Sequence, residues 1–147
     1  MVFTRDLLED VISLAEKLYR ISARPESRAI AGLSMGGSQS MNIGLTHLDL
    51  FRWIGIFSSG GARGGDAEKT FADLFADPAA SNKKIKLLWI GIGRKDPAFE
   101  SAQRFSETLK KHDIEHVFHP SEGAHTWTVW RHYLNEFVPM LFRGPGL

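Results

Sequence analysis

The strongest chemical signal in the sequence is the segment 32–37, which reads Gly-Leu-Ser-Met-Gly-Gly. The pattern Gly-x-Ser-x-Gly is typical of a nucleophilic serine on a sharp turn between a strand and a helix. Its glycines let the neighbouring backbone pass without side-chain clashes. Such a turn exposes the Ser34 hydroxyl and aims the Met35 amide at a developing oxyanion. We therefore predict Ser34 as the nucleophile and Met35 as an oxyanion-hole donor. The other serines considered, none of which has this context, are Ser40, Ser58 and Ser59.

A serine nucleophile needs a general base, and six histidines are available. His125 lies in the loop between the last predicted strand and the last predicted helix, where it could reach across the strand ends to Ser34. The alternative is a loop histidine with no chemical task. The remaining histidines have structural explanations, such as a helix C-terminus that favours a cation. These are His47, His112, His116, His119 and His132.

The base in turn needs an acid to orient it, and Asp96 is the favoured candidate. It follows the most apolar predicted strand and directly precedes Pro97. The alternative is that Asp96 only caps the helix that Pro97 can start. Glu122 and Asp113 are the substitutes. The chain order Ser, Asp, His is the order of α/β-hydrolases rather than of other serine proteases.

Metal and cofactor sites are not expected. His116 and His119 lie three residues apart on a predicted strand, so their side chains would face opposite sides. The sequence contains no cysteine, which excludes disulfides and thiolate metal sites. The segment 91–94, Gly-Ile-Gly-Arg, lacks the third glycine of a dinucleotide fingerprint.

Length and composition predict one soluble domain of 147 residues with a real core. Eighteen basic and 17 acidic residues nearly cancel, and no basic run suggests a nucleic acid or an anionic membrane as partner. The first residues show no signal peptide, and no apolar run is long enough to span a bilayer. The compartment is left open: cytoplasmic, or secreted if the chain is a fragment.

Helical and strand patterns alternate along the chain and position these side chains. This alternation predicts an α/β fold, a three-layer sandwich whose mostly parallel sheet has about four strands. Reactive groups then collect at the carboxyl ends of the strands. Strands are predicted over 28–32, 51–57, 85–91 and 115–119. Helices are predicted from a Thr4 cap to about residue 19, and over 35–45, 67–75, 97–111 and 128–137.

Three segments resemble the esterase D-like group and carbohydrate esterase family 1, which includes feruloyl and acetyl xylan esterases. They are 28–37, 46–51 and 123–130, the last reading Gly-Ala-His-Thr-Trp-Thr-Val-Trp. The resemblance extends over nearly the whole chain and implies hydrolysis of short acyl or feruloyl/acetyl esters through an acyl-enzyme. It also implies that Trp127 and Trp130 line the substrate pocket. The alternative is that both only pack the last helix on the sheet, which for Trp130 is an equally good explanation. Trp127 is favoured for the pocket because it lies nearest His125 in the sequence.

Members of that group carry further strands before the first helix, including a loop that donates a second oxyanion-hole amide. The chain is therefore expected to be a single truncated domain over 1–147. The strand from Arg28 to Gly32 should be an exposed apolar edge, and a homo-oligomer should cover it. Gly36, a partner chain or the glycine-rich stretch 60–65 would have to supply the second amide, or activity would be low. The alternatives are a thioesterase or peptidase with the same triad, and a non-catalytic binding remnant.

Overall fold

The computed structural model describes residues 2–61 and 65–143, and its centre is a parallel sheet. Four strands lie side by side in chain order, and each pairs in parallel with the next. The strands are β1 (Ala29–Leu33), β2 (Trp53–Phe57), β3 (Leu87–Gly93) and β4 (Val117–Ser121). The predicted α/β fold is confirmed, and all the carboxyl ends of the strands meet at one edge of the sheet.

Helices precede, connect and follow the strands. In chain order they are α1 (Val2–Arg5), a π-helical stretch (Asp6–Val11), α2 (Ile12–Leu18), a 3-10 turn (Pro25–Ser27), α3 (Met35–Thr46), α4 (Ala67–Thr70), α5 (Ala72–Ala76), α6 (Pro78–Lys84), α7 (Phe99–Lys111), α8 (Trp127–Phe137) and a second 3-10 turn (Val138–Met140).

Side-chain alternation along the strands divides the core between the two faces of the sheet. On one face, Ile54 and Ile56 of β2 pack with apolar residues of α3, α5 and α7. On the other face, Phe57 of β2 and Trp89 of β3 pack against Tyr133 of α8. Successive residues of a strand point to opposite faces, so a continuous apolar run serves both layers. These layers form the predicted three-layer sandwich.

The segment before β1 is helical, as predicted, but differs from the expectation in two ways. Thr4 lies inside α1 and caps nothing, because the helix already includes Val2. None of the residues of α1, the π-helical stretch or α2 is buried. Leu7, Leu8 and Ile12 are half-buried, whereas Val11, Leu14 and Leu18 are 55%, 57% and 64% exposed. The described chain therefore covers the apolar positions of this segment only in part.

Element boundaries also differ from the predicted ones. The strands begin up to two residues later than predicted, because pairing with the neighbour decides where each ladder starts. The helix predicted over 67–75 is two helices separated at Phe71, whose backbone leaves helical geometry. No helix is predicted between residues 75 and 85, but the chain forms α6 there. The Asp77 side chain caps this helix by accepting from the Ala80 amide, and Pro78 occupies its first turn.

Candidate active site

Ser34 stands between β1 and α3 in a strained backbone conformation. Its φ of 55° and ψ of −120° lie in a region that residues with a side chain rarely adopt. The Ser34 amide donates to the Phe57 carbonyl at 2.9 Å, which anchors the turn to β2. The predicted strand–turn–helix context of Ser34 is therefore present.

The glycines around Ser34 differ in what they contribute. A Cβ on Gly32 would lie 2.4 Å from the backbone of Gly36, and one on Gly37 would lie 2.9 Å from the Phe57 carbonyl oxygen. A Cβ on Gly36 would meet nothing within 4 Å. The expectation that the flanking glycines prevent clashes is right for Gly32 and wrong for Gly36. Gly37, the residue after the motif, provides the second close approach.

The structure brings Ser34, His125 and Asp96 into one hydrogen-bonded chain. The distance from His125 Nε2 to Ser34 Oγ is 2.9 Å, and that from His125 Nδ1 to Asp96 Oδ2 is also 2.9 Å. A carboxylate oxygen only accepts hydrogen bonds, so Nδ1 carries the hydrogen and Nε2 accepts from the serine hydroxyl. This tautomer can take a proton from Ser34.

Asp96 combines the two roles that the sequence left as alternatives. Its side chain is fully buried, and Oδ1 accepts from the Ala98 amide at 2.9 Å while Oδ2 faces His125. The same carboxylate thus holds the turn before α7 and orients the imidazole. The substitutes lie elsewhere: the Glu122 side chain is 85% exposed beside Arg94, and Asp113 lies at the far end of α7.

The acid and base loops extend the pairing of β3 with β4 beyond the strands. The Arg94 amide donates to the Ser121 carbonyl at 2.8 Å, and the Lys95 amide donates to the Gly123 carbonyl at 2.9 Å. A Cβ on Gly93 would lie 2.4 Å from the Gly123 carbonyl oxygen. The loop that carries Asp96 and the loop that carries His125 therefore lie against each other as one unit.

The other histidines lie away from Ser34 and Asp96 in the roles that follow. His47 and His112 are C-cap residues, and His132 is exposed on α8. His116, which precedes β4 instead of lying in it, bonds Ser106, and His119 contacts Glu136. Within residues 2–61 and 65–143, no three or more acidic or histidine side chains form a group that could hold a metal ion.

The Met35 amide is the first N–H of α3 and, at that position, has no carbonyl one turn earlier to bond. Its role as an oxyanion-hole donor stays a prediction. Part of the glycine-rich stretch proposed as a second donor, 62–64, falls outside the described residues. The sequence analysis gave no role to Ser58, the residue directly after β2. It has a φ of 49° and a buried hydroxyl that has no partner in the described chain. Such strain often marks functional sites.

The two tryptophans flank an apolar cleft of about 220 Å³ beside the β1 end of the sheet. The Trp130 and His125 rings pack perpendicular to each other with their centroids 4.9 Å apart, and the centroids of the Trp127 and Trp130 rings are 5.2 Å apart. Trp127 is closer to His125 in sequence, yet Trp130 is the tryptophan whose ring contacts it. Leu33, Phe57 and Leu134 also belong to the apolar lining.

The parallel sheet and the position of the Ser34 turn are those of the α/β-hydrolase class of folds. Residues 2–141 match the model of the Esterase family, so the chain belongs to this family. The predicted similarity to carbohydrate esterase family 1 is confirmed. No helix in the described part of the chain is long and apolar enough to cross a membrane.

Known relatives agree with this assignment. The chain is 29% identical over 142 residues to an endo-1,4-beta-xylanase/feruloyl esterase of Xylanibacter ruminicola, a match that covers 96% of this chain and 18% of that protein. A CE1 ferulic acid esterase from Anaeromyces mucronatus, solved with ferulic acid, has the same fold with a TM-score of 0.81 at 23% identity, over 95% of this chain and 54% of that one. S-formylglutathione hydrolase from Staphylococcus aureus gives a TM-score of 0.76 at 18% identity, over 95% and 62%. The chain therefore spans less than two thirds of the length of these relatives.

Proposed function

We propose that this chain hydrolyses short acyl or feruloyl/acetyl esters through a covalent acyl-enzyme on Ser34. The observation that carries the proposal is the pair of 2.9 Å hydrogen bonds joining Ser34, His125 and Asp96. Nucleophile, base and orienting acid are the groups that acyl transfer requires, and they are already within proton-transfer distance.

The mechanism follows from the direction of these hydrogen bonds. Ser34 Oγ attacks the ester carbonyl carbon while His125 Nε2 takes the hydroxyl proton, and the Met35 amide stabilises the negative oxygen. Asp96 stabilises the resulting imidazolium. Collapse breaks the bond to the alcohol, which leaves with the proton from His125. A water, activated by His125 in the same way, then hydrolyses the acyl-enzyme and frees Ser34.

The proposed substrate class rests on the cleft and on the relatives. The cleft of about 220 Å³ is lined almost entirely by apolar atoms, including Trp127 and Trp130. That volume is smaller than that of pockets for drug-sized ligands, about 300 Å³ and above, which favours a small acyl group or one aromatic ring. The names of the xylanase/feruloyl esterase and of the ferulic acid esterase point to the same acyl groups.

The test compares hydrolysis of short-chain nitrophenyl esters by the wild type and by Ser34→Ala. We expect the rate to fall by about 1,000-fold or more, because the remaining groups cannot replace a nucleophile. His125→Gln should lose comparable activity, whereas His132→Gln, on the exposed side of α8, should keep it. Equal trace rates in the wild type and Ser34→Ala would contradict the proposal and favour a binding remnant. Methyl ferulate, a thioester and a peptide substrate would separate the three hydrolase activities.

We also propose that two copies of the chain associate through the β1 face, defined as the free edge of β1 with the exposed apolar residues beside it. The Ser34 amide and the Arg28 carbonyl bond β2, so by strand alternation the N–H and C=O groups of Ala29, Ala31 and Leu33 point away from the sheet. Apart from the residues that line the substrate cleft, the exposed apolar residues of the β1 face are Val11, Leu14 and Leu18 on one side and Val138 on the other.

A second copy of the chain is the partner proposed for this face. A second copy carries the same unpaired edge and the same apolar residues, so a twofold axis can join the edges of two β1 strands. Sedimentation of a single monomeric species at all concentrations would contradict this arrangement.

A further inference from the structure

The loop that carries His125 is closed at its base by a side-chain hydrogen bond. Ser121 is the last residue of β4, and Tyr133 lies on α8, which begins two residues after His125. The Ser121 hydroxyl lies 2.6 Å from the Tyr133 hydroxyl. This contact joins the strand before the loop to the helix after it, and so limits the conformations of the segment between them.

Either hydroxyl can be the donor in this contact, since each can both donate and accept. The Ser121 hydroxyl also lies 3.2 Å from the Glu122 carbonyl. Burial raises the pKa of the Tyr133 hydroxyl; the Ser121 hydrogen bond opposes this effect, and the negative charges of Asp96 and Glu136 reinforce it. The phenol therefore stays protonated and can take part in the contact.

Tyr133 is well placed to hold the loop still. Tyr133 is only 1% exposed. In the core beneath α8, the centroid of its ring lies 6.0 Å from that of Phe57 and 5.4 Å from that of Trp89. The Ser121 carbonyl in turn accepts a hydrogen bond from the Arg94 amide, which lies in the loop that carries Asp96. A rigid core residue is thereby linked to both loops that position the imidazole.

We propose that Tyr133 and Ser121 are positioning residues that hold His125 in line between Asp96 and Ser34. The inference rests on the proposed function and deepens it, since neither residue touches the reacting atoms. Small displacements of a catalytic group are costly, because about 1 Å can lower a rate by about 100-fold. Loss of either hydroxyl should therefore lower turnover more than substrate affinity.

The experiment compares Tyr133→Phe, Ser121→Ala and the double variant with the wild type. We expect kcat on a nitrophenyl ester to fall by about tenfold to 100-fold while KM changes less than about twofold. The double variant should lose no more than the stronger single variant, because both remove one bond. Ser121→Thr, which keeps a hydroxyl, should recover most of the activity. Tyr19→Phe is the matched control, since Tyr19 is the other tyrosine and is 68% exposed.

A second readout separates this inference from the proposed function. Proton NMR should show a slowly exchanging Nδ1 hydrogen of His125 in the wild type, and its signal should broaden or vanish in Tyr133→Phe at temperatures well below unfolding. An unchanged signal together with unchanged kcat would overturn the positioning role. A wild type that neither hydrolyses esters nor reacts with a fluorophosphonate would overturn the proposed function, and the NMR signal would still decide the role of Tyr133.

Discussion

At the scale of single residues, the turn at Ser34 depends on a steric contact that only glycine allows. In Gly32→Ala the new Cβ would lie 2.4 Å from the Gly36 backbone, so the strand or the helix must shift. We expect a loss of about 1–3 kcal/mol in the free energy of unfolding, measured by urea denaturation with tryptophan fluorescence.

Gly36→Ala is the matched control for Gly32→Ala, because its Cβ would enter open space within α3. Replacing a helical glycine by alanine should leave stability unchanged or raise it by up to about 1 kcal/mol. Equal destabilisation by both substitutions would show that the close approach of the Gly36 backbone is not the reason why position 32 requires glycine.

His116 should make stability depend on pH. Its Nδ1 hydrogen bonds the Ile114 carbonyl and its Nε2 accepts from Ser106, an arrangement that suits the neutral ring. Burial, aided by the charge of Lys110, lowers its pKa below the usual 6.5. Between that lowered pKa and 6.5 the unfolded chain binds more protons, so stability falls as the pH drops through this window.

The measurement for His116 is the free energy of unfolding at several pH values from 7 to 5. The fall should be steeper in the wild type than in His116→Gln, which keeps a polar side chain but does not titrate. Glu68 does not interfere, since its pKa is lowered to about 2 by His112 and Lys111 and its contribution is lost only below about pH 4.5. Parallel curves for the two proteins would assign the pH dependence to other groups.

At the scale of elements, the contact between the loops after β3 and β4 sets the distance from Asp96 to His125. In Gly93→Ala the new Cβ would lie 2.4 Å from the Gly123 carbonyl oxygen and would push the two loops apart. We expect kcat/KM for ester hydrolysis to fall by about 100-fold. Circular dichroism should report an intact fold, because the loops lie outside the core. Activity within about twofold of the wild type would show that the loops absorb the methyl group without moving His125.

Much of this architecture could be predicted from the sequence because it depends on local pattern. Apolar runs at Ile54 and Ile90 identify buried strands, and the glycines around Ser34 identify the turn. The start of β1 and the break at Phe71 could not be predicted, since pairing and packing with distant residues decide them. Tyr133 escaped notice for a similar reason: its spacing on α8 fits an ordinary core position, and its partner Ser121 lies on another element.

At the scale of the whole molecule, the sheet is covered unevenly. β2 is buried along its whole length and β3 nearly so, whereas β1 has no fully buried residue. An exposed parallel edge with apolar residues on both sides favours association, because each unpaired backbone group and each exposed apolar side chain gains from a partner. In an antiparallel pairing of two β1 strands, the partner's segment before β1 would lie beside Ser34. That segment could then supply a second oxyanion-hole amide.

The final prediction tests this association by placing charge on both sides of the sheet. Leu14→Lys combined with Val138→Lys alters two positions of the β1 face that are 57% and 50% exposed. We expect analytical ultracentrifugation to show a dimer for the wild type and a monomer for the double variant. Buried unpaired lysines are costly in an interface, and on a free monomer they cost almost nothing.

Val117→Lys is the control, because Val117 is 41% exposed on β4 at the opposite edge of the sheet. It should remain dimeric. If the partner completes the oxyanion hole, activity per chain should rise with concentration in the wild type and in Val117→Lys. In the double variant the activity per chain should stay about 100-fold or more below that of the dimeric wild type at all concentrations. Full activity in a monomeric double variant would mean that one chain stabilises the oxyanion by itself, and would leave the β1 face without a catalytic role.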